Sequence, residues 1–288
     1  MIYVLVPAHD EAQTVGLLLW KVRQVFTAFE REYQLLVVDD ASADGTDEIL
    51  GPYARALPLT LVTHERRRGY ARSLEELLRL AVARSDRPRR DAAVTIQADF
   101  SESPDELPEM IKRLESGADL VLADGRARPG TPAAERLARR LVPAAVRPFA
   151  KLTGADAGVG TLRAYRVGTL ARMLRSPAPL LHADGWAADL ELLARATAVA
   201  RRVDTVALTS PVPPRQRPVR LRPFRALLDV VRVARTLPAA AAPVEQEVET
   251  EAPRPPRRGR GRRGGRGRPA RNASSTAAPL PQPSPEPG

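Results

Sequence analysis

The 288-residue sequence contains no cysteine, which excludes disulfides, thiol nucleophiles and cysteine-ligated zinc. Histidine is scarce. His9, His64 and His182 are too widely spaced to predict a histidine-rich metal centre, so any metal is expected to be hard and oxygen-bound. Lysine is nearly missing: with only Lys21, Lys112 and Lys151, the net charge of +11 rests almost entirely on arginine. Genomic base composition accounts for such a bias; so does an anionic partner such as phosphate, nucleic acid or lipid headgroup. No run approaches the ~18 consecutive apolar residues of a membrane span. Met1 leads directly into IYVLVP, too short for a signal-peptide core and without a basic flank. The reading at this level is a cytoplasmic chain with ample sequence for a core.

What is present is an alternation of strand and helix. Short apolar runs at residues 2–6, 34–38, 59–63, 92–97 and 119–123 predict five strands. Between them, Leu18, Val22, Val25, Phe26 and Phe29 recur at helical spacing, and residues 73–83 form a second helical stretch. Ser103-Pro104-Asp105-Glu106 carries a Ser cap, a proline at the first position and an acid three residues after the cap. That helix is expected to end near Gly117. Residues 185–200 and 223–237 predict two more. The fold class is therefore α/β, a mostly parallel sheet with helices on both faces. The domain is expected to cover residues 1–238. Residues 239–288 turn acidic, then Arg/Gly-rich, then Pro/Ser-rich, and are expected to be a disordered tail.

Ligands of such sheets collect beyond the C-terminal strand ends. The first strand is followed by Pro7, Ala8, His9, Asp10 and Glu11, and the second by Asp39 and Asp40. Gln97-Ala98-Asp99 follows the fourth, and Asp124-Gly125-Arg126 the fifth. Acids recurring at one edge, joined by an arginine, suit a divalent cation and a diphosphate. Asp99 is a candidate ligand for Mg2+ or Mn2+, Arg126 for phosphate oxygens, and Asp40 for hydrogen bonds from a base or ribose. Taken alone, Asp39-Asp40-Ala41-Ser42 reads equally as a turn, with Asp44-Gly45-Thr46 as a helix start.

VLVPAHDEAQTV, LLVVDDASADGT, VTIQADFSESPDELPEMI and GTLRAYR resemble, in order and spacing, the successive motifs of family-2 glycosyltransferases of the GT-A, Rossmann-like fold. The resemblance covers about residues 1–220 and is nearest to the dolichol-phosphate or polyprenyl-phosphate mannosyltransferase-like enzymes. It implies a nucleotide-sugar pocket lined by Pro7, His9, Glu11, Val38, Asp39 and Asp40. Gln97, Ala98 and Asp99 would hold diphosphate and metal, Arg126 would contact phosphate, and Glu191 would be a site acid. Arg215 or Arg217 stands for the family's late arginine. Arg136 and Arg139, in an arginine-rich stretch where related enzymes place an acceptor-side element, and Arg163 are the acceptor-side candidates.

The sequence departs from the family pattern in four places. Gln97 replaces the first acid of the DxD element, and His9 stands where Tyr or Phe is common. ERRRGYARSLEELL replaces an N-x-G-x-G-x-A loop, and a late G-x-S-K lysine has no counterpart. The implied reaction moves a sugar, with inversion, from a nucleotide donor to a polyprenyl phosphate. A hydroxyl acceptor on a saccharide or other molecule is the alternative, for which Asp189 or Glu191 is the candidate base, although Asp189 reads as part of a solvated helix face. A third reading is a weakened nucleotide-sugar binder or RNA-associated scaffold. Peripheral attachment to an anionic inner membrane face is expected from the arginine-flanked segments at 136–151 and 223–237. The Arg/Gly run lacks interleaved aromatics, which favours a tether or lipid contact over RNA.

Overall fold

The computed structural model describes residues 1–124 and 161–208. The expected helix at 223–237, the segment at 136–151, the boundary near 238 and the tail lie outside the described residues.

The chain runs β1 (Ile2–Ala8), α1 (Val15–Phe29), β2 (Tyr33–Asp39), α2 (Thr46–Ala56), β3 (Leu59–Thr63), α3 (Tyr70–Arg84), β4 (Ala92–Thr95), α4 (Leu107–Glu115) and β5 (Leu120–Asp124). Then follow β6 (Arg163–Arg166), α5 (Val167–Met173), α6 (Trp186–Val199) and β7 (Val203–Ala207). The seven strands form one sheet in the order β3-β2-β1-β4-β6-β5-β7. All neighbours are parallel except β6, which is antiparallel to both β4 and β5.

Side-chain alternation divides each strand between two cores. Val4, Val6, Leu35, Val37 and Val94 pack with Leu18, Val22 and Phe26 of α1, Leu50 of α2, and Met110 and Ile111 of α4. Tyr3, Leu5, Leu36, Val38 and Leu122 pack with Leu74, Leu77 and Leu78 of α3, Leu170 of α5, and Leu192 and Leu193 of α6. Strands apolar on both faces explain the continuous runs seen in the sequence. Each fully buried Leu or Val contributes about 1.5–3 kcal/mol by removal from water.

The start of α4 shows how sequence sets local geometry. Ser103 Oγ accepts from the Asp105 amide at 3.3 Å, as its cap position predicts. The first turn, Pro104–Glu106, is nevertheless a 3-10 turn, closed by the Leu107 amide on the Pro104 carbonyl. Pro108 has no N–H to make the α-helical bond to Pro104, so the tighter turn supplies the partner.

Candidate functional site

Because β2, β1 and β4 are parallel and in register, with Ala8 beside Asp39 and Leu5 beside Thr95, their C-terminal ends share one edge. The backbone turns sharply just beyond each. Asp10, Ala41 and Phe100 have φ of +54°, +53° and +55°, in the left-handed region that residues with a side chain rarely adopt. Such strain concentrates at functional loops. The loops after β1 and β2 are laced together. The Asp10 amide donates to Ser42 Oγ (2.9 Å), the Ala43 amide to Asp10 Oδ1 (2.9 Å) and the Glu11 amide to Thr46 Oγ1 (2.8 Å). His9 Nδ1 lies 2.8 Å from the Asp40 carbonyl oxygen. Pro7, Val38 and Ala98 are buried beneath this rim, while Glu11 is partly exposed.

The two adjacent acids have separate tasks. Asp39 is buried, and its Oδ1 accepts from the amide and the hydroxyl of Ser42, fixing the turn. Asp40 is 3% exposed. Its Oδ1 takes His64 Nδ1 and the Arg68 amide, both at 2.7 Å, and its Oδ2 takes the Gly69 amide at 2.8 Å. Burial alone would push this carboxyl up. The His64 contact and the two amides outweigh burial and hold it below the ordinary aspartate range. Three of about four lone-pair directions are committed, leaving one free. The loop at residues 65–69, which leads into α3, is thus ordered by Asp40. His64 extends the cluster to Glu76 (3.1 Å), which also accepts from Arg68 (3.0 Å).

Gly69 is the hinge of that loop. Its φ is +94°, and a Cβ there would sit 2.9 Å from Asp184 Oδ2, whose partner Oδ1 accepts the Ala71 amide at the start of α3. Gly69→Ala is expected to destabilise the protein by about 1–3 kcal/mol in urea unfolding. Gly51→Ala, in α2 with nothing within 4 Å of the added carbon, is expected to stabilise it by roughly 0.5–1 kcal/mol. Equal effects at the two sites would refute the hinge.

At the end of β4, Asp99 is partly exposed, and its Oδ1 accepts the Ser101 amide at 2.9 Å. Gln97 donates through Nε2 to Tyr70 Oη (2.7 Å), and Tyr70 donates to Asp189 Oδ1 (2.9 Å). Asp189, at the first turn of α6, is 4% exposed. The expected solvated helix face is therefore corrected: α6 turns both of its acids inward. Burial pushes the Asp189 carboxyl up to about 7; Arg163 and the Tyr70 hydroxyl pull it down, and Glu102 adds to the rise. A carboxyl that titrates near neutrality is suited to proton transfer.

Two other expectations change. Glu191 is fully buried, and its carboxylate receives the His182 and Ala183 amides, His182 Nδ1, and Arg195 through Nε and Nη2. Five donors saturate it, so Glu191 fastens the loop before α6 and has no acceptor left for a substrate. Glu75 holds the same loop through the Leu180 and Leu181 amides. Arg163, expected on the acceptor side, is 1% exposed and lies behind Asp189, with Nη1 2.5 Å from the Asp189 carbonyl oxygen. Arg126, Arg136, Arg139, Arg215 and Arg217 lie outside the described residues. Tyr70 escaped the sequence reading; an aromatic following the loop glycine was its only signal.

No group of three or more metal-ligating acids or imidazoles occurs among the described residues. The Asp99 carboxylate suits a divalent cation that arrives with a diphosphate supplying further oxygens, as Mg2+ does in many phosphate sites, rather than an all-protein cage.

The sequence profile described as glycosyl transferase family 2 matches residues 3–174. The chain belongs to that family. Among its curated relatives, the undecaprenyl-phosphate 4-deoxy-4-formamido-L-arabinose transferase of Photorhabdus laumondii is 27% identical over 172 residues, covering 60% of this chain and 51% of the relative. The Pseudomonas aeruginosa protein of the same description is 28% identical over 174 residues, covering 60% and 49%. The chain thus aligns with about half the length of these relatives. Among solved structures, glucosyl-3-phosphoglycerate synthase from Mycobacterium tuberculosis, in complex with Mn2+, UDP-glucose and phosphoglyceric acid, is similar with a TM-score of 0.57. Its sequence identity is 21%, over 83% of this chain and 81% of that one. S. aureus TarS in complex with UDP gives a TM-score of 0.55 at 15% identity, over 82% and 64%. At these identities the likeness establishes the GT-A glycosyltransferase fold. The family match ends before α6, so Asp189 lies beyond the matched residues.

Proposed function

We propose that this family-2 glycosyltransferase moves a sugar from a nucleoside-diphosphate donor to the phosphate of a polyprenyl lipid, with inversion. The observation that carries the reading is the convergence of Asp40, Gln97 and Asp99 at one strand edge in a chain of this family. The donor half is further supported by the UDP and UDP-sugar complexes of its structural neighbours, and the acceptor by the descriptions of its curated relatives. An acceptor oxygen forms the new bond to the anomeric carbon as the bond to the diphosphate breaks, and the nucleoside diphosphate leaves with the electron pair.

The residues have distinct tasks. Asp40, with one acceptor direction free, holds the nucleoside side, and the loops at His9 and Asp10 wall the pocket. Asp99 would hold Mg2+ or Mn2+, which supplies stabilisation of the charge developing on the diphosphate. Arg126 is proposed for the same phosphates, and Arg136 and Arg139 for the acceptor. No helix among the described residues is long and apolar enough to cross a membrane. Contact with the lipid is proposed to be peripheral, through the arginine-flanked segments at 136–151 and 223–237.

The test is transfer from a panel of labelled nucleotide sugars to polyprenyl phosphate in anionic vesicles, with Mn2+ or Mg2+. Asp99→Asn is expected to lower the metal-dependent rate by about 10²-fold or more. Full activity in that variant would remove Asp99 from the diphosphate. Labelling of soluble saccharides but not of lipid would replace the acceptor. Asp189 favours that second reading, a hydroxyl acceptor: a phosphate is already an anion, whereas a hydroxyl needs a base.

A further inference from the structure

We propose that Tyr70 and Gln97 are positioning residues for Asp189, and that the Tyr70–Asp189 hydrogen bond is what requires an amide rather than an acid at position 97. The inference deepens the proposed function, resting on the reading that this cleft transfers a glycosyl group.

The argument is one of proton counting. A tyrosine hydroxyl has one proton to give. Here it points to Asp189 Oδ1 at 2.9 Å. The second close contact on the same phenol oxygen, 2.7 Å from residue 97, must then come from a donor. Glutamine supplies it through its amide nitrogen. A carboxylate at 97 would set two acceptors against one proton, next to an Asp189 that is only 4% exposed. The missing acid of the DxD-like element is therefore not merely a lost ligand. It is the condition for a buried carboxylate to be held from above.

The surroundings of Asp189 make this dependence strong. Tyr70 faces it from α3, Arg163 and Tyr165 from β6, and Glu102 from the loop after β4. Arg163 spends Nη1 on the Asp189 carbonyl, while Nε and Nη2 have no hydrogen-bond partner among the described residues. Arg163 thus offsets the charge of the carboxylate without bonding to it. Tyr70 is the side chain that makes a direct hydrogen bond to its oxygens among the described residues.

The experiment is a carbon-13 NMR titration of the aspartate-labelled full-length protein. Wild type is compared with Tyr70→Phe, Gln97→Glu and the double variant, with pH profiles of kcat/KM measured alongside. Tyr70→Phe is expected to raise the Asp189 midpoint by about one unit, the worth of one hydrogen bond to a charged group. Gln97→Glu, nearly isosteric, is expected to raise it at least as far, and with a hydroxyl acceptor the acid limb of the kcat/KM profile follows in both. In the Tyr70→Phe background the shift caused by Gln97→Glu is expected to fall below half. An unchanged Asp189 midpoint in Tyr70→Phe, or shifts that simply add in the double variant, overturns the proposal. Tyr70→Phe keeps the ring and its packing, so it decides the matter alone if Gln97→Glu fails to fold. The titration needs no substrate. Failure to transfer sugar to any acceptor would count against the proposed function and leave this inference standing.

Discussion

Asp189→Asn is expected to make the protein more stable at pH 8. The carboxyl titrates near 7 when folded, against 3.8 as its ordinary value. Between those values the folded state holds a proton that the unfolded state has released, so stability from this group falls as pH rises from about 4 to 7 and stays low above. A shift of this size corresponds to a cost on the order of 4 kcal/mol at pH 8, which a neutral asparagine avoids. Thermal or urea unfolding at pH 5 and pH 8 reads the difference: the gain should be small at the lower pH and large at the higher. Activity separates the two acceptors. A hydroxyl acceptor predicts a loss of about 10²–10⁴-fold in kcat. A phosphate acceptor, already ionised, predicts retention within about tenfold. A variant no more stable at pH 8 than wild type would show that Asp189 is not held as a costly charge.

Asp40→Ala is expected to do the opposite and unfold the site. It strips an acceptor from His64 and from the Arg68 and Gly69 amides at once. Removing one partner of a buried charged cluster costs about 3–5 kcal/mol. Asp40→Asn, which keeps one carbonyl oxygen, should fall between. Because the folded carboxyl is held below its ordinary value, its contribution is present above about pH 4 and is lost as pH falls through the depressed folded value. Wild type should therefore lose stability on acidification where Asp40→Asn loses less, measured as the urea midpoint from pH 6 downward. Donor binding should weaken in both variants, read by calorimetry with UDP. A wild-type urea midpoint in Asp40→Ala would mean that the loop at 64–70 is held by something else.

How far the sequence discloses this arrangement depends on whether chemistry or topology supplies the signal. The parallel strands β1, β2, β4 and β5 are buried on both faces, and their unbroken apolar runs show directly in the letters. The acids beyond them follow by position. Strand β6 is only four residues, RAYR, and carries two arginines. Nothing in such a stretch announces a central antiparallel strand; its place is set by pairing with β4 and β5. The surroundings of the two acids in the α6 helix are hidden in the sequence for a related reason. Asp189 and Glu191 are two residues apart, and helical geometry points them in different directions. One is met by a tyrosine 119 positions earlier, the other by the loop just before it. Only the long-range contact separates a titrating carboxyl from a structural one.

The position of β6 also sets a schedule. β3, β2, β1 and β4 can pair once residue 95 has been made, but β5 and β7 reach the sheet only through β6. During synthesis, Leu120, Val121 and Leu122 must therefore wait for residues 163–166 before their hydrogen bonds and their burial become available. At about 5–20 residues per second, that leaves an apolar strand unpaired for a few seconds on every chain made.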